Sequence, residues 1–447
     1  MTNNGFHFPP GPKGLPILGL ALAVRNDPLG TLQRLAREYG DVVNMPVLGM
    51  SRVLLNRPDL VQQILVLEHA KLHKSALTKM VVGPLLGQGL LISEGDFWRR
   101  QRRLAQPAFH RSRTNEYSPV MVECALQRME QWRAGETRNI AEEMMKLTLE
   151  VAVRTLFGTS LAADSEGIGR AMTFLMRYHL HRARTPWRIP GSWPTAKNRQ
   201  SKRDLEYMDS MVYRIISERK KDTQPRNDLL SLLMAAMHED GTQMTERQLR
   251  DETMTLFVAG HETTALSLSW TWYLLGQNPD AEAKLQEELQ SVLGGRPADV
   301  SDLPKLPYLN AVVNESLRLY PPAFIMARLS VEPLQLGGYD IPPGTTLLAS
   351  QWVMHRDARL YDEPERFLPE RWLGGLMERL PAGGYFPFGD GPRRCIGQGF
   401  ALLETALVVA AIAQKFSFRL VPGHPVVPEP LVTLRPKSGI WMSVAAR

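Results

Sequence analysis

The sequence predicts a mainly α-helical protein with small peripheral β-sheets. Long stretches carry apolar residues at helical spacing, and short runs rich in Val and Leu are broken by turn residues. The 447 residues, 44% of them hydrophobic, can bury a large core. Because no repeat or linker divides the chain, we expect one domain over residues 1–447.

Helices are predicted wherever apolar residues recur every three to four positions. The predicted helices are Leu29–Tyr39, Tyr117–Gly135, Thr137–Gly158, Glu206–Lys221, Glu246–Gly276 and Phe400–Lys415. Strands are predicted in two stretches. One is Val42–Leu55, with a turn residue at Gly49, and the other is Ala327–Ala349, with hairpin signals at Gly337-Gly338 and at Pro342-Pro343-Gly344.

Two segments are predicted to be irregular because they concentrate Pro and Gly. The segment Phe8–Leu15, Phe-Pro-Pro-Gly-Pro-Lys-Gly-Leu, predicts a rigid, non-helical entry. The basic stretch His181–Lys202 predicts a connection between two helices over the surface. A mobile lid is the alternative interpretation of this stretch, and the sequence leaves both open.

Charge and cysteine content restrict the partners and the compartment. The net charge of +7 indicates acidic partners, either nucleic acid or an acidic electron-transfer protein. Two cysteines exclude a disulfide framework, so we expect a reducing, cytoplasmic environment. The apolar segment Leu15–Val24 is far shorter than the roughly 20 residues needed to cross a bilayer. We therefore expect no membrane span and no signal peptide.

Cys395 lies in a glycine-rich loop that runs directly into the predicted helix Phe400–Lys415. A helix N-terminus and nearby cations, here Arg393 and Arg394, stabilise a thiolate. Such a thiolate suits a soft metal or a haem iron. The alternative is a buried cysteine in a tight turn. Cys124, which has apolar neighbours, is predicted to be an ordinary core residue.

Four consecutive polar residues interrupt the apolar pattern of the predicted helix Glu246–Gly276. The segment reads Leu256-Phe-Val-Ala-Gly-His-Glu-Thr-Thr-Ala265. Buried polar groups cost free energy unless they have partners, and Gly weakens a helix by about 1 kcal/mol relative to Ala. The segment therefore predicts a buried acid–alcohol pair, Glu262 and Thr263. The alternative is a hydrogen-bonded polar kink, because threonine can bond back to a carbonyl one turn earlier.

The cysteine loop resembles the haem-binding loop of the cytochrome P-450 family. The family pattern Phe-x-x-Gly-x-Arg-x-Cys-x-Gly is matched at Phe388, Gly391, Arg393, Cys395 and Gly397. This resemblance implies the cytochrome P-450 fold and a single catalytic domain of that kind. It also implies that Cys395 is the axial ligand of a haem b iron, that Arg393 pairs with a haem propionate, and that Phe388 packs near the thiolate.

The polar helix segment is similar to the oxygen-binding motif of the same family, Ala/Gly-Gly-x-Asp/Glu-Thr-Thr/Ser. The matching residues are Ala259, Gly260, Glu262, Thr263 and Thr264. The resemblance implies that Thr263 hydrogen-bonds dioxygen during its activation. It also implies that Glu262 helps to deliver the two protons that this activation needs, through water.

The same resemblance assigns structural roles to charged residues elsewhere in the chain. Glu315-Ser-Leu-Arg318 resembles the family's Glu-x-x-Arg pair, and Phe367-Leu-Pro-Glu-Arg-Trp372 resembles its Pro-Glu-Arg-Phe element, with Trp in place of the usual Phe. Pro364-Glu-Arg-Phe367 also spells that element, but the later segment has the Phe-x-Pro that precedes it in relatives. The resemblance implies a structural triad of Glu315, Arg318 and Arg371.

Cations are expected to face the two haem propionates. In the basic segment Trp98-Arg-Arg-Gln-Arg102, the family's Trp-x-x-x-Arg pattern implies that Trp98 and Arg102 have this role. A solvated basic face is the alternative for this segment. Arg328 and Lys74 are further candidates for propionate binding.

The activity implied by the resemblance is a monooxygenase reaction. One atom of O₂ would be inserted into a small lipophilic substrate, a fatty acid or a terpenoid, by hydroxylation or epoxidation. Since no flavin or ferredoxin module is recognisable in the sequence, electrons would come from a ferredoxin or flavodoxin with its NAD(P)H reductase. A peroxide-driven or O₂-independent haem-thiolate enzyme, a non-catalytic haem-binding protein and a nucleic-acid binder are the alternatives. The Glu262–Thr263 pair argues against the first two, and charge alone suggests the last.

Overall fold

The computed structural model describes residues 7–159, 164–185, 190–222, 224, 226, 228–237 and 242–447. Its helices are α1 (Ala21–Asn26), α2 (Pro28–Tyr39), α3 (Pro58–Gln62), α4 (Ala76–Leu86), α5 (Gly95–Ala105), α6 (Arg111–Glu116), α7 (Ser118–Met129), α8 (Ile140–Leu156), α9 (Ser165–Arg184), α10 (Ala196–Lys221), α11 (Leu229–Ala235), α12 (Glu246–Gln277), α13 (Pro279–Leu293), α14 (Pro307–Leu319), α15 (Gln351–Met354), α16 (Glu370–Leu373), α17 (Leu376–Arg379) and α18 (Gln398–Ala413).

The strands are short and form small sheets. They are β1 (Val42–Asn44), β2 (Arg52–Leu55), β3 (Leu72–Lys74), β4 (Thr137–Asn139), β5 (Met326–Ser330), β6 (Leu334–Leu336), β7 (Tyr339–Ile341), β8 (Thr346–Ala349), β9 (Phe416–Leu420), β10 (Pro428–Pro430), β11 (Leu434–Pro436) and β12 (Trp441–Ala446). Helices dominate, so the predicted mainly α-helical class with small β-sheets is confirmed.

The chain divides into two compact units. The first comprises Met1–Lys79, Leu317–Phe367 and Gly374–Cys395, and the second comprises Met80–Ser316, Leu368–Leu373 and Ile396–Arg447. The first unit holds Cys395, and the second holds the polar segment of α12 with Glu262 and Thr263.

A five-stranded sheet in the order β1-β2-β8-β5-β3 organises the first unit. Strands β2 and β8 are parallel, and the other neighbours are antiparallel. The predicted stretch Val42–Leu55 forms β1 and β2, which turn at Leu48 and Gly49, both at positive φ. Apolar side chains of the sheet form one buried cluster with those of α3 and the β6–β7 hairpin.

Ala327–Ala349 contains the strands that its turn signals predict. It forms β5 to β8, and the β6–β7 hairpin turns at Gly337 and Gly338, with φ of +59° and +85°. Positive φ is accessible to glycine at no steric cost, so the Gly-Gly pair places this turn. The prediction of hairpins in this stretch is confirmed.

In the second unit, most residues of the long helix α12 are buried, and it packs against α8, α10 and α18. Its start is fixed by a capping box, in which Thr245 and Gln248 bond each other's backbone N–H. Two small sheets, β4-β12-β9 and the β10–β11 hairpin, also belong to this unit. The β10–β11 hairpin was not predicted, because Pro428, Pro430 and Pro436 argue against strands there.

The stretch His181–Lys202 is more helical than predicted. Helix α9 continues to Arg184, and α10 begins at Ala196, where the Thr195 side chain accepts a hydrogen bond from the Asn198 N–H. Among the described residues, the irregular part is confined to residue 185 and residues 190–195, and Pro190 and Pro194 precede the start of α10. The mobile-lid interpretation falls largely on residues 186–189, which lie outside the described residues.

Within the described part of the chain, no helix combines the length and the apolar character that crossing a bilayer requires.

Candidate active site

The loop that carries Cys395 is held by its own backbone. The Cys395 N–H donates to the Phe388 carbonyl over 2.9 Å, and the Gly391 N–H donates to the Asp390 carboxylate over 2.8 Å. Gly391 has φ of +66°, and a Cβ atom there would lie 2.2 Å from the Leu65 carbonyl oxygen. Only glycine fits this position. The loop therefore presents Cys395, which is exposed, in a fixed conformation.

The second cysteine has a different environment. Cys124 is buried in α7, and burial raises the pKa of its thiol to about 12, although Arg154 lies 3.4 Å from Sγ. A thiol with so high a pKa is protonated at neutral pH and is a poor metal ligand. The interpretation of Cys124 as an ordinary core residue is confirmed.

The other candidates for cofactor binding in the first unit lie close to one another in its main sheet or in the cysteine loop. Phe388, Gly391 and Arg393 are half-buried. Lys74 and Arg328 are cross-strand partners in β3 and β5, and Arg328 is only 6% exposed. Like charges in directly opposite positions repel. This pair therefore favours a neighbouring anionic group.

The central part of helix α12 is buried except at one point. From Leu249 to Trp272, all of which the structure describes, only Ala259, Gly260 and Thr263 are not buried. Ala259 and Thr263 are four residues apart and therefore lie on one face. The Thr263 hydroxyl donates to the Ala259 carbonyl over 2.8 Å. The single accessible window of this helix thus carries the threonine that the sequence singles out.

Glu262 is held by residues from the β10–β11 hairpin and the turn before β11. Its Oε1 accepts hydrogen bonds from the Thr433 hydroxyl and from Arg435 Nε at 2.9 Å, and Arg435 Nη2 lies 2.8 Å away. Burial alone would raise the pKa of this carboxyl. The positive charge of Arg435 and the hydrogen bonds outweigh burial and hold the pKa below its usual value. Glu262 is therefore ionised at neutral pH.

The Glu262–Arg435 ion pair predicts a measurable stability coupling. Arg435→Met should lower the free energy of unfolding by about 3–5 kcal/mol, because it leaves a buried charge without its partner. The double variant Glu262→Gln, Arg435→Met should recover part of this loss. Urea unfolding of the four proteins of the cycle measures both effects. A double variant as unstable as the sum of the two single variants would show that the pair is not coupled.

The same pair gives stability a defined pH dependence. Its carboxyl has a pKa below the unfolded-state value of about 4.3, so its contribution is complete above that value. It is lost as the pH falls through the lowered folded-state pKa.

Glu315 is fully buried, and three groups bind its carboxylate. Arg371 Nε lies 3.1 Å from Oε1, the Leu368 N–H donates to Oε1 over 2.9 Å, and Trp372 Nε1 donates to Oε2 over 2.8 Å. The alternative Arg366 is exposed and pairs with Glu363 instead. The departure from the family pattern at Trp372 therefore adds a hydrogen bond that phenylalanine could not make.

Arg318, the third member of the implied triad, is also fully buried. Its guanidinium donates to the carbonyls of His355, Pro364 and Arg366, at 2.7, 2.6 and 3.0 Å. Five donors in a rigid fork allow one arginine to fix several backbone segments. Arg318 thus fixes the chain that leads from α15 toward the cysteine loop.

Helix α5 separates its residues into a buried and a solvated face. Trp98 is buried, and the half-buried Arg102 lies over its ring, with its Cζ 6.0 Å from the ring centroid. Arg99, Arg100 and Arg103 are exposed. The helix can therefore direct Trp98 and Arg102 toward a ligand while it keeps three arginines in solvent.

Comparison with known proteins decides the family. The family model "Cytochrome P450" matches residues 9–442. The chain belongs to the cytochrome P450 family. It is 38% identical over 427 residues to cyclooctatin synthase of Streptomyces melanosporofaciens, covering 95% of this chain and 92% of that protein.

Two further relatives also match over nearly their whole length. Cyclooctat-9-en-7-ol 5-monooxygenase of the same organism is 36% identical, with 92% of this chain and 90% of that protein covered. Pentalenene oxygenase of Streptomyces avermitilis is 30% identical, with 100% and 99% covered. The chain is thus an oxidoreductase of the haem-thiolate monooxygenase type, with the cytochrome P450 fold.

Two residues of the site were missed from the sequence. Thr433 and Arg435 lie in no recognisable motif, and they contact Glu262 across 171 and 173 positions of the chain. The sequence indicates only indirectly that Glu262 has such partners. A buried glutamate needs a cationic partner, but the sequence does not say which of its 53 lysines and arginines supplies it.

Proposed function

We propose that this cytochrome P450 oxygenates a neutral carbocyclic terpenoid, with Cys395 as the axial ligand of haem b. The proposal rests on the substrates that the names of its relatives state. Pentalenene is an alkene by name, and cyclooctat-9-en-7-ol is an unsaturated alcohol. A fatty acid, the other substrate class implied by the sequence, has no counterpart in these names.

The residues of the cysteine loop fit haem by the chemistry of their donors. One exposed thiol at the end of a glycine-shaped loop suits a single axial bond, with a flat ligand close to the backbone. By the resemblance to the family, Arg393, Arg102, Lys74 and Arg328 would supply cations for the two propionates, and Trp98 would supply an aromatic face. Bound haem provides the redox chemistry of O₂ activation.

Glu262 and Thr263 are proposed to deliver protons to oxygen. Oε1 of Glu262 is held by Thr433 and Arg435, and none of the described residues hydrogen-bonds Oε2. Oε2 is then the oxygen that takes a proton from water and passes it on. The Thr263 hydroxyl, which donates to the Ala259 carbonyl in this structure, would have to release that carbonyl to orient dioxygen and donate a hydrogen bond to it.

Substrate class can be tested by ligand titration. A carbocyclic sesquiterpene alkene should shift the Soret band of the holoenzyme from low to high spin, because it displaces water from the iron. A linear fatty acid of equal carbon number is the matched control, and it should shift the band only at much higher concentration. The opposite order of affinity would overturn the proposed substrate class and favour a fatty-acid hydroxylase.

Electrons are proposed to come from a separate acidic ferredoxin or flavodoxin with its NAD(P)H reductase. The exposed arginines of α5 offer a docking surface for such a protein, since like charges gathered on one helix face attract the opposite charge. This proposal accounts for the basic net charge without nucleic acid.

The docking proposal makes a kinetic prediction. The first-electron rate should fall as salt rises, because charges on the surface are screened beyond about 10 Å at 0.1 M ionic strength. Arg100→Glu should lower the rate further, by roughly three- to tenfold at low salt, and leave the CO spectrum unchanged. Arg203→Glu, an exposed charge reversal on α10, is the control. A stopped-flow rate indifferent to both salt and Arg100→Glu would show that these arginines only solvate the helix.

A further inference from the structure

A cleft of about 790 Å³ lies in the second unit, bounded by α8, α9 and α12, with Lys197 of α10 at its edge. Small-molecule sites have volumes of roughly 300–1,000 Å³. His261 is the α12 residue in its described lining. Side chains two residues apart on a helix point about 200° apart, so this rear cleft lies on the face of α12 opposite Thr263.

The lining of the rear cleft has an apolar wall and a basic rim. The wall is formed by Met145, Leu149 and Phe174. Four lysines and arginines line the cleft against two carboxylates, those of Glu142 and Glu166. Since Arg177 is paired with Glu429, which lies outside the lining, one positive charge remains in excess. A positive rim beside an apolar wall attracts anions that also carry an apolar body.

Three of these cations, Lys146, Arg170 and Lys197, are here named the rim cations. Lys146 and Arg170 share the Glu166 carboxylate, at the long distances of 3.9 and 3.7 Å. Lys197 has no ion pair among the described residues. The fourth cation, Arg177, is committed to Glu429 at 2.7 Å. The rim cations thus retain capacity for a further anion.

His261 gives a second, independent indication of a ligand. It is 3% exposed, and its Nδ1 has no hydrogen-bond partner among the described residues. Buried polar atoms almost always have one. Burial lowers the pKa of this imidazole to about 4, and it outweighs the charge of Glu262, which raises the pKa, while the smaller effect of Arg435 lowers it further. His261 is therefore neutral at neutral pH, and it can offer one directed hydrogen bond beside the rim cations.

We propose that the rear cleft binds an amphiphilic organic anion. The charged group pairs with the rim cations, and the apolar body packs on the apolar wall. This site goes beyond the proposed function, because it is separated from Thr263 by α12 and takes an anion rather than the neutral substrate.

An occupant of the rear cleft would contact a residue connected to Glu262. The lining includes Thr173, whose hydroxyl oxygen accepts a hydrogen bond from Arg435 over 3.0 Å. Arg435 in turn holds Glu262. The rear cleft is therefore connected to the Glu262 carboxylate through Thr173 and Arg435.

Calorimetric titration of the holoenzyme tests the site. Phenylimidazole is first bound to the haem iron, so that the substrate side is blocked, and dodecanoate is then added. We expect one saturable equivalent of dodecanoate. Dodecanol, which lacks the charge, and inorganic phosphate, which lacks the apolar body, should bind at least about tenfold more weakly. Absence of saturable dodecanoate binding overturns the proposal.

Charge reversal then locates the bound anion. Lys197→Glu and Arg170→Glu should each weaken dodecanoate binding by about three- to tenfold, as expected for one partly solvated charge. Arg203→Glu is the matched control on α10, exposed and outside the cleft lining. Unchanged affinity in the rim variants, or equal weakening in the control, contradicts the site. Because the iron is blocked throughout, a failure of the proposed monooxygenase activity would leave this result unaffected.

Discussion

Cys395→Ser is expected to abolish the CO-difference band at about 450 nm and all O₂-dependent product formation. The thiolate donates electron density that neither serine nor water can supply. The loop itself should survive, since its shape depends on Gly389, Gly391 and backbone hydrogen bonds rather than on sulfur. The absorption spectrum of the reduced, CO-treated variant measures the effect, and circular dichroism reports whether the fold is retained.

Cys124→Ser is the matched control for this experiment. Cys124 is the other cysteine of the chain, and its thiol is buried and protonated. The control should keep the band, although a polar hydroxyl in the core lowers stability by about 1–3 kcal/mol. If the band survived in Cys395→Ser and disappeared in Cys124→Ser, the iron ligand would be Cys124 and not Cys395.

Thr263→Ala is expected to separate electron consumption from product formation. Without the hydroxyl, protons reach oxygen in the wrong order, and reduced oxygen escapes as hydrogen peroxide. Product per NAD(P)H should fall more than about tenfold. Positioned proton transfer contributes roughly a hundredfold or more, and water replaces part of it. Measuring NAD(P)H, peroxide and product in one reaction gives the partition directly.

Two neighbouring variants give this prediction its controls. Thr263→Ser keeps a hydroxyl and should retain most of the coupling. Thr264→Ala removes a buried hydroxyl that donates to the Gly260 carbonyl over 3.0 Å, and it should cost stability rather than coupling. Equal product yield per NAD(P)H in Thr263→Ala and the wild type would remove Thr263 from the proton path.

Local signals accounted for much of what the sequence predicted. Gly391 reports a backbone shape that only glycine adopts, and the 3.6-residue period of α12 places Glu262 and Thr263 on a buried helix. Both signals are confined to a few consecutive residues, so no knowledge of tertiary contacts is needed to interpret them.

What could not be predicted depends on contacts between distant parts of the chain. Arg435, the partner of Glu262, is one of many cations in the sequence. The hairpin that carries it was not recognised, because prolines in its strands argue against β-structure. Trp372 was recognised as a departure from the family pattern, but its bond to Glu315 appears only in three dimensions. The rear cleft could not be predicted either, because its lining comes from α8, α9, Lys197 of α10 and His261 of α12, which are distant in sequence.

The pairing of Glu262 with Thr433 and Arg435 also constrains biosynthesis. Glu262 leaves the ribosome 171 residues before Thr433, an interval of roughly 10–35 s at about 5–20 residues per second. Arg435, the cation that pairs with the Glu262 carboxylate, follows two residues later. Burial of Glu262 before Arg435 is available would cost free energy or require protonation. We therefore expect the core around α12 to close late, and truncation before residue 435 to lower the yield of folded protein.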